Sequence, residues 1–240
     1  ETKIGKINGW DAEEFIKGED KHYSVEKDKK VIRTFTSGEL KDFFGKNQIS
    51  ISSNGVLYDL TKKGVIPAIL EKWFNERVEY RKLAKKYETE GDLELHGYFN
   101  RRQLVQKILL NSLYGVLGLT VFRFYDIDNA EGTTTTGQKL IQFTEKVTNS
   151  YYNKILKTDK DYCIYTDTDS VFYSALPLVK NRFPNADVKD EKFMTEQILD
   201  IADEVQSYIN KSYNYFSSKF LNIQGDHRFE IKQEMIAKAA

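Results

Sequence analysis

A single cysteine in 240 residues, Cys163, excludes an internal disulfide. It stands in an apolar, strand-like run and so reads as a buried thiol rather than a reactive one. Long apolar stretches are missing as well. No 18-residue run is apolar enough for a membrane span and the N-terminus carries no signal-like segment, so no membrane partner is expected and the expected location is cytoplasmic. There is no internal repeat and no low-complexity tract. Net charge is absent too: 36 Lys and Arg balance 36 Asp and Glu, which taken alone argues against a nucleic-acid surface. The charge is segregated, however. Residues 62–107 hold eleven Lys/Arg against seven Asp/Glu, whereas 187–204 is strongly acidic. What is plentiful is core material, since 40% of the residues are hydrophobic, enough for a sizeable core in one or two units.

The first sixty residues read as strand-like and loop-rich, with turn signals at Lys17–Asp20, Ser37–Gly38 and Ser53–Gly55. Pro67 favours a first helical turn, and Ile66, Ile69, Leu70, Trp73 and Phe74 follow helical spacing, which predicts a helix ending near Gly91. A second helix over about Tyr98–Tyr114 would complete an antiparallel αα-hairpin. After Gly118, LTVFRFYD alternates as a strand does. Leu140, Phe143, Val147, Tyr151 and Ile155 mark one face of a helix over Gly137–Leu156. A short hairpin follows, then a long amphipathic helix over Glu191–Leu221, and RFEIKQEMIA closes as a strand. That order implies an α+β fold, with helices packed on one side of an antiparallel sheet.

YTDTDS at 165–170 puts Asp167 and Asp169 in a short turn between two apolar runs. Carboxylates that close repel unless something positive lies between them, and Mg²⁺ is commonly bound by one or two carboxylates together with substrate phosphates. Aspartate is also common in turns for purely local hydrogen bonding. KILLNSLYG at 107–115 places Lys107, Asn111 and Tyr114 at i, i+4 and i+7, on one helix face, while Val105, Ile108, Leu109 and Ser112 point elsewhere. That stripe is either a solvated face with one lysine or a face that meets a phosphate and a base, with Gly115 allowing close approach to the backbone.

Together the two segments resemble family B (alpha-like) DNA polymerases, whose motif B reads K-x-x-x-N-S-x-Y-G and whose motif C reads Y-x-D-T-D-S. Both are matched in order and about fifty residues apart. The resemblance is nearest to the replicative polymerases of T-even type phages and covers 50–175 well. SSNGVLYDLTKKGVIPAILEKWFNERVEYRK is similar to the approach to the fingers, FRFYDIDNAEGTTTTGQ to the palm after motif B, and FEIKQEMIA to a late palm strand. The family's motif A, an aspartate followed by an S-L-Y-P-S type segment, does not occur, nor does K-K-x-Y. The resemblance therefore implies a fragment: residues 1–63 a palm-associated segment following motif A, 64–118 the fingers helical hairpin, 119–240 the palm with motif C. The location would be the host cytoplasm if the source is viral.

The resemblance further implies deoxynucleotidyl transfer to a primer 3′-hydroxyl with two Mg²⁺ ions about 3.5–4 Å apart. Asp169 would bridge both ions and Asp167 would be a secondary ligand. Glu234 matches a nearby palm carboxylate, or is an ordinary solvated glutamate. Arg77, Lys107 and Asn111 would hold the triphosphate, with Arg81 assisting, and arginine's planar fork suits phosphate oxygens. A basic helix with Glu76 and Glu79 as ion-pair partners is the plainer alternative. Tyr114 would lie under the nascent base pair, or be a core tyrosine. Gly115, Thr135 and Gln138 would approach DNA, the last two from a Thr133–Gln138 run at a helix start that suits phosphates and equally an N-cap cluster. The implied partners are primer-template DNA, deoxynucleoside triphosphates, the remaining polymerase segments (motif A, exonuclease, thumb) and a sliding clamp. Two other classes remain: a different palm-type metal enzyme, which would lack the motif B helix, and a DNA-binding piece without turnover.

Overall fold

The computed structural model describes residues 2–18 and 20–237. The first sixty residues form a five-stranded antiparallel sheet in the order β3-β2-β1-β5-β4. Its strands are β1 (Lys3–Ile7), β2 (His22–Lys27), β3 (Lys30–Thr36), β4 (Ile49–Ile51) and β5 (Val56–Asp59), with α1 (Ala12–Lys17) and α2 (Ser37–Lys46) packed against it. Asp28 and Lys29 both take positive φ, the backbone that a two-residue hairpin turn requires. Gly55 (φ +88°) turns β4 into β5, and a Cβ there would lie 2.1 Å from the Ile7 carbonyl oxygen. The expected turn at Ser53–Gly55 is thus present. Ser37–Gly38 instead opens α2, because Thr36 and Glu39 form a reciprocal capping box. Of the turn expected at Lys17–Asp20, Gly18 (φ +80°) ends α1, and Glu19 lies outside the described residues. Tyr23, Val25, Phe35, Leu40, Phe44 and Leu57 bury the inner face.

A helical hairpin follows. α3 (Val65–Glu90) ends at Gly91 in the left-handed conformation, and Asp92 immediately caps α4 (Leu93–Leu117) by accepting from Leu95 N. The second helix therefore starts five residues before its predicted Tyr98. The two run antiparallel: Arg77 Nε donates to Gln103 at 3.4 Å, Tyr80 and Tyr87 contact Phe99, and His96 Nδ1 lies 3.0 Å from the Ala84 carbonyl oxygen.

The strand expected at LTVFRFYD is absent. Phe122 N donates to Leu119 O, Tyr125 N to Phe122 O and Asp126 N to Leu117 O, so local turns satisfy the backbone and Val121 stands 92% exposed. α5 (Ile127–Leu156) then starts ten residues before the predicted Gly137, capped by Asp126. Two glycines and four threonines in a row weaken helix propensity there. The hydroxyls of Thr133, Thr134 and Thr135 donate back to carbonyls three or four residues earlier, so the run is helix interior, neither a helix start nor an N-cap.

β6 (Cys163–Asp167) and β7 (Ser170–Tyr173) pair only with each other among the described residues, followed by α6 (Leu176–Arg182) and α7 (Glu191–Phe220). A second core unites Tyr152 of α5, Leu178 and Val179 of α6, and Ile201 of α7, with Tyr162 and Tyr173 beside the strands. RFEIKQEMIA is not a strand. Asn210 of α7 holds Ile231 through both its amide atoms and Gln206 accepts from Gln233 N, so side chains of a helix take the backbone groups that a neighbouring strand would have taken. The class is mixed α and β with antiparallel pairing, as expected, but the YTDTDS hairpin forms its own two-stranded sheet.

The sheet is tied to α5 by ions. Lys3 Nζ bonds Asp126 and Asp128, each at 2.9 Å, and Lys6 Nζ bonds Asp128 at 2.9 Å and Glu131 at 3.2 Å. Burial would push the Lys3 ammonium down, but its hydrogen bonds to Asp126 and Asp128 outweigh burial and hold it above the usual 10.5. Burial likewise opposes ionisation of Asp128, and the bonds from Lys3 and Lys6 overcome it, holding the carboxyl below the usual 3.8. The Asp128 contribution is therefore present above about pH 4 and lost as pH falls through its depressed value. The Lys3 contribution is present below about pH 10 and lost as pH rises through its raised value. With side chains 19% and 26% exposed, Lys3 and Asp126 are partly screened, so Lys3→Met should cost about 1–2 kcal/mol near neutrality. Thermal melts should show the gap between variant and wild type shrinking below pH 4; a gap independent of pH would contradict the assignment.

Candidate functional site

The chain contains three D-x-D pairs. Asp161 of the Asp159–Asp161 pair accepts from Asn149 Nδ2 at 2.8 Å and from Cys163 N at 2.9 Å, and the structure treats the other two pairs oppositely. Asp126 and Asp128 meet Lys3 and Lys6, so their mutual repulsion is answered within the protein. Asp167 and Asp169 have no lysine or arginine within 4 Å among the described residues, and both are exposed at the tip of the β6–β7 turn. Asp167 pairs with Ser170 across the hairpin, leaving Thr168 and Asp169 as the turn. Asp167 Oδ1 accepts from the Thr168 hydroxyl at 2.9 Å, and its carbonyl accepts from Ser170 Oγ at 3.1 Å. Thr168 is held at φ +51°, unusual for a β-branched residue, with a cost of about 1–3 kcal/mol. The root of the hairpin rests on α5, where Tyr152 stacks near Tyr162 and Tyr173, while Tyr165 toward the tip is 57% exposed. Cys163 is half-buried rather than buried, and burial raises its thiol pKa.

Two open carboxylates fit Mg²⁺ held jointly by protein and phosphate, not an all-protein cage. Glu234 does not complete such a cage. It is exposed beyond the segment tethered to α7, and among the described residues no three His, Cys, Asp or Glu side chains converge on a common point.

The predicted stripe on α4 is where the spacing put it. Lys107, Asn111, Tyr114 and Gly115 are exposed, Tyr114 by 40%, so Tyr114 is not a core tyrosine. On α3, Arg77 is half-buried beside Gln103 and Arg81 is exposed. Glu76 bonds Gln106 and Glu79 pairs with Lys82. Neither glutamate neutralises Arg77, Arg81 or Lys107, and among the described residues no carboxylate lies within 4 Å of these three. Arg77 is level with Gln103, so Lys107 stands one turn, ~6 Å, toward the open end of the hairpin and Arg81 one turn toward its closed end. Lys107 and Arg81 thus lie one turn to either side of the level of Arg77. Thr135 and Gln138 lie on α5, away from any helix terminus.

Sequence reasoning passed over Lys3, Lys6, Asn54 and Tyr58. Asn54 Nδ2 donates to the Asp128 carbonyl at 2.9 Å and Tyr58 OH donates to Asn129 at 2.7 Å; burial raises the Tyr58 phenol to about 12. Asp126, which Lys3 holds, caps α5 and donates its N–H to Leu117 at the end of α4. The acidic start DIDNAE was a visible signal, but its basic partners lie over a hundred residues away.

The model of DNA polymerase family B matches residues 16–218. The chain is 27% identical over 200 residues to the DNA-directed DNA polymerase of Escherichia phage RB69, covering 60% of this chain and 22% of that protein. It is 30% identical over 175 residues to the DNA-directed DNA polymerase of Enterobacteria phage T4, covering 52% and 20%, and 30% identical over 183 residues to a DNA polymerase of Phaeocystis pouchetii virus, covering 73% and 16%. The chain spans about a fifth of the length of these relatives. No helix among the described residues is long and apolar enough to cross a membrane. With the family match extending over most of the sequence, including both the Asp167–Asp169 turn and the α4 stripe, the chain belongs to DNA polymerase family B.

Proposed function

We propose that this chain is the part of a DNA-directed DNA polymerase that carries the fingers and much of the palm, acting in the cytoplasm, that of the host cell if the source is viral. Residues 1–63 are the palm-associated segment, 64–118 the fingers and 119–240 the palm with motif C. The observation that carries this reading is the Asp167–Asp169 turn, two exposed carboxylates that meet no lysine or arginine within 4 Å among the described residues, in a chain that the family B model matches over residues 16–218. Asp169 is the principal ligand for two Mg²⁺ ions and Asp167 a secondary one; Glu234 is at most peripheral. Bound there, Mg²⁺ supplies charge neutralisation at the phosphate oxygens. Arg77, Lys107 and Asn111 hold the triphosphate and Arg81 assists. Tyr114 and Gly115 face the nascent base pair, where a flat phenol in the minor groove senses pair geometry. Thr135 and Gln138 are the weaker DNA contacts, since helix-interior hydroxyls already spent on backbone carbonyls have less to offer a phosphate.

One extension assay tests the reading. The polymerase containing this segment should extend a primer in a template-directed, Mg²⁺-dependent manner, and Tyr114→Ala should raise misincorporation about tenfold, more than it slows correct insertion. The 240-residue chain alone, run in parallel, should not extend, because two carboxylates on one turn hold metal too loosely for catalysis. Extension by the chain alone, or an unchanged error frequency in a proofreading-deficient background, would refute the respective assignment.

A further inference from the structure

One helix, α5, joins the two parts of the candidate site. Its far half carries the Asp167–Asp169 turn: Tyr152 packs near Tyr162 and Tyr173, and Asn149 bonds both the Asp161 carboxylate and Tyr162 N. Its first turn carries the end of α4, whose last ~3 turns bear Lys107, Asn111 and Tyr114. Asp126 N donates to Leu117 O at 3.1 Å, Leu117 and Ala130 are buried, and a Cβ on Gly118 would lie 3.9 Å from the Ala130 Cβ. This joint sets where the α4 stripe lies relative to the exposed aspartates. Asp126 is held there in three ways. Its backbone N–H bonds α4, its Oδ1 caps α5 by accepting from Asn129 N at 3.2 Å, and both carboxylate oxygens accept from Lys3 Nζ at 2.9 Å. Lys6 reaches Asp128 and Glu131 instead. Lys3 is itself fixed by the sheet, where it pairs with Tyr58 of β5, and β5 leads on into α3. Both roots of the α3–α4 hairpin are thus referred to β1.

We propose that Lys3 is a positioning residue for nucleotide transfer: through Asp126 it fixes the end of α4 on α5, and with it the placement of Lys107, Asn111 and Tyr114 relative to Asp169. The proposal rests on the polymerase reading. Without the Lys3 ammonium, Asp126 keeps its backbone bond and its cap, but Asp126, Asp128 and Glu131 are left with Lys6 alone, and their repulsion bears on the joint. Lys6 has no such route to α4, because its partners lie on α5 beyond the capping residue. Misplacing a substrate-holding group by about 1 Å can cost ~10²-fold, so a smaller shift at this joint should cost about tenfold.

Single-nucleotide incorporation by the polymerase that contains this segment compares wild type with Lys3→Met, Lys3→Arg, Lys6→Met, Asp126→Asn and the double variant Lys3→Met/Asp126→Asn. Each is assayed at a temperature where circular dichroism shows it folded. Lys6→Met controls for stability, since each lysine meets two carboxylates, and asparagine caps a helix about as well as aspartate. Lys3→Met and Asp126→Asn should each lower the maximal rate about tenfold with DNA affinity within about twofold of wild type. The double variant should lose no more than either single one, as expected when one residue acts through the other. Lys3→Arg should return to within about threefold of wild type, since arginine also pairs with a carboxylate, and Lys6→Met should stay within the same range while melting lower. Equal rate losses in Lys3→Met and Lys6→Met, multiplied losses in the double variant, or a wild-type rate in Lys3→Met would overturn the proposal and leave the polymerase reading standing. A wild-type protein without Mg²⁺-dependent extension would overturn both.

Discussion

Asp169→Ala in the polymerase that contains this segment is expected to lower single-nucleotide incorporation by about 10³-fold or more while leaving primer-template affinity nearly intact. The expectation rests on the contrast between Asp126–Asp128 and Asp167–Asp169. Asp126 and Asp128 stabilise the fold through Lys3 and Lys6, whereas Asp169 makes no side-chain hydrogen bond or ion pair among the described residues. Its removal therefore costs the fold little and, on the function proposed above, takes away a carboxylate that would hold Mg²⁺ at the reacting phosphate. Loss of one preorganised group aimed at developing charge typically costs 10²–10³-fold, about 2.7–4 kcal/mol, and a principal metal ligand belongs at or beyond the upper end. Rapid-quench extension separates the outcomes. Turnover within tenfold of wild type, or a loss traced to DNA binding, would remove Asp169 from the chemistry.

Alanine at Arg77 or at Lys107 should weaken nucleotide binding or slow the chemical step by roughly ten- to a hundredfold, with DNA affinity changed far less. Both cations lack a carboxylate within 4 Å among the described residues, and they lie one helical turn apart on facing helices. A single polyphosphate can engage both. Arg77 should be the more sensitive to lysine replacement, since a point charge does not reproduce a fork that bonds two oxygens. Arg81→Ala should show a smaller effect, being a turn farther from Lys107. Pre-steady-state titrations of nucleotide and of DNA decide between the readings, and a defect confined to DNA would make these residues duplex contacts instead.

Where the sequence reading succeeded and where it failed has a common cause. The α3–α4 hairpin was legible because its signals are local: Pro67 at the start, Gly91 at the turn, apolar spacing between. α7 was legible for the same reason, its observed span Glu191–Phe220 stopping one residue short of the predicted end. The errors fall where local and tertiary preferences differ. LTVFRFYD alternates like a strand yet has no sheet edge to join, so its backbone closes on itself in turns. RFEIKQEMIA has strand composition but lies against a helix, whose Asn210 and Gln206 occupy its backbone groups. The threonine run resembles a helix start, but the start is at Asp126, where Lys3 fixes the capping carboxylate.

The sequence by itself determined the family and which residues match its motifs, because motif order and spacing survive without knowledge of distant contacts. It also determined which face of α4 those residues share, since a 3.6-residue period is a property of the chain alone. Tertiary structure alone decided which charges are free. The D-x-D pairs are equivalent as text, and only the approach of Lys3 and Lys6, about 120 residues away in sequence, sets Asp126–Asp128 apart from the exposed Asp167–Asp169 pair. The pairs Lys82–Glu79 and Lys86–Glu90, by contrast, form at i,i+3 and i,i+4 within α3, a spacing already present in the sequence. Charge is read one residue at a time, but its neutralisation depends on distances within about 4 Å, which long-range packing sets.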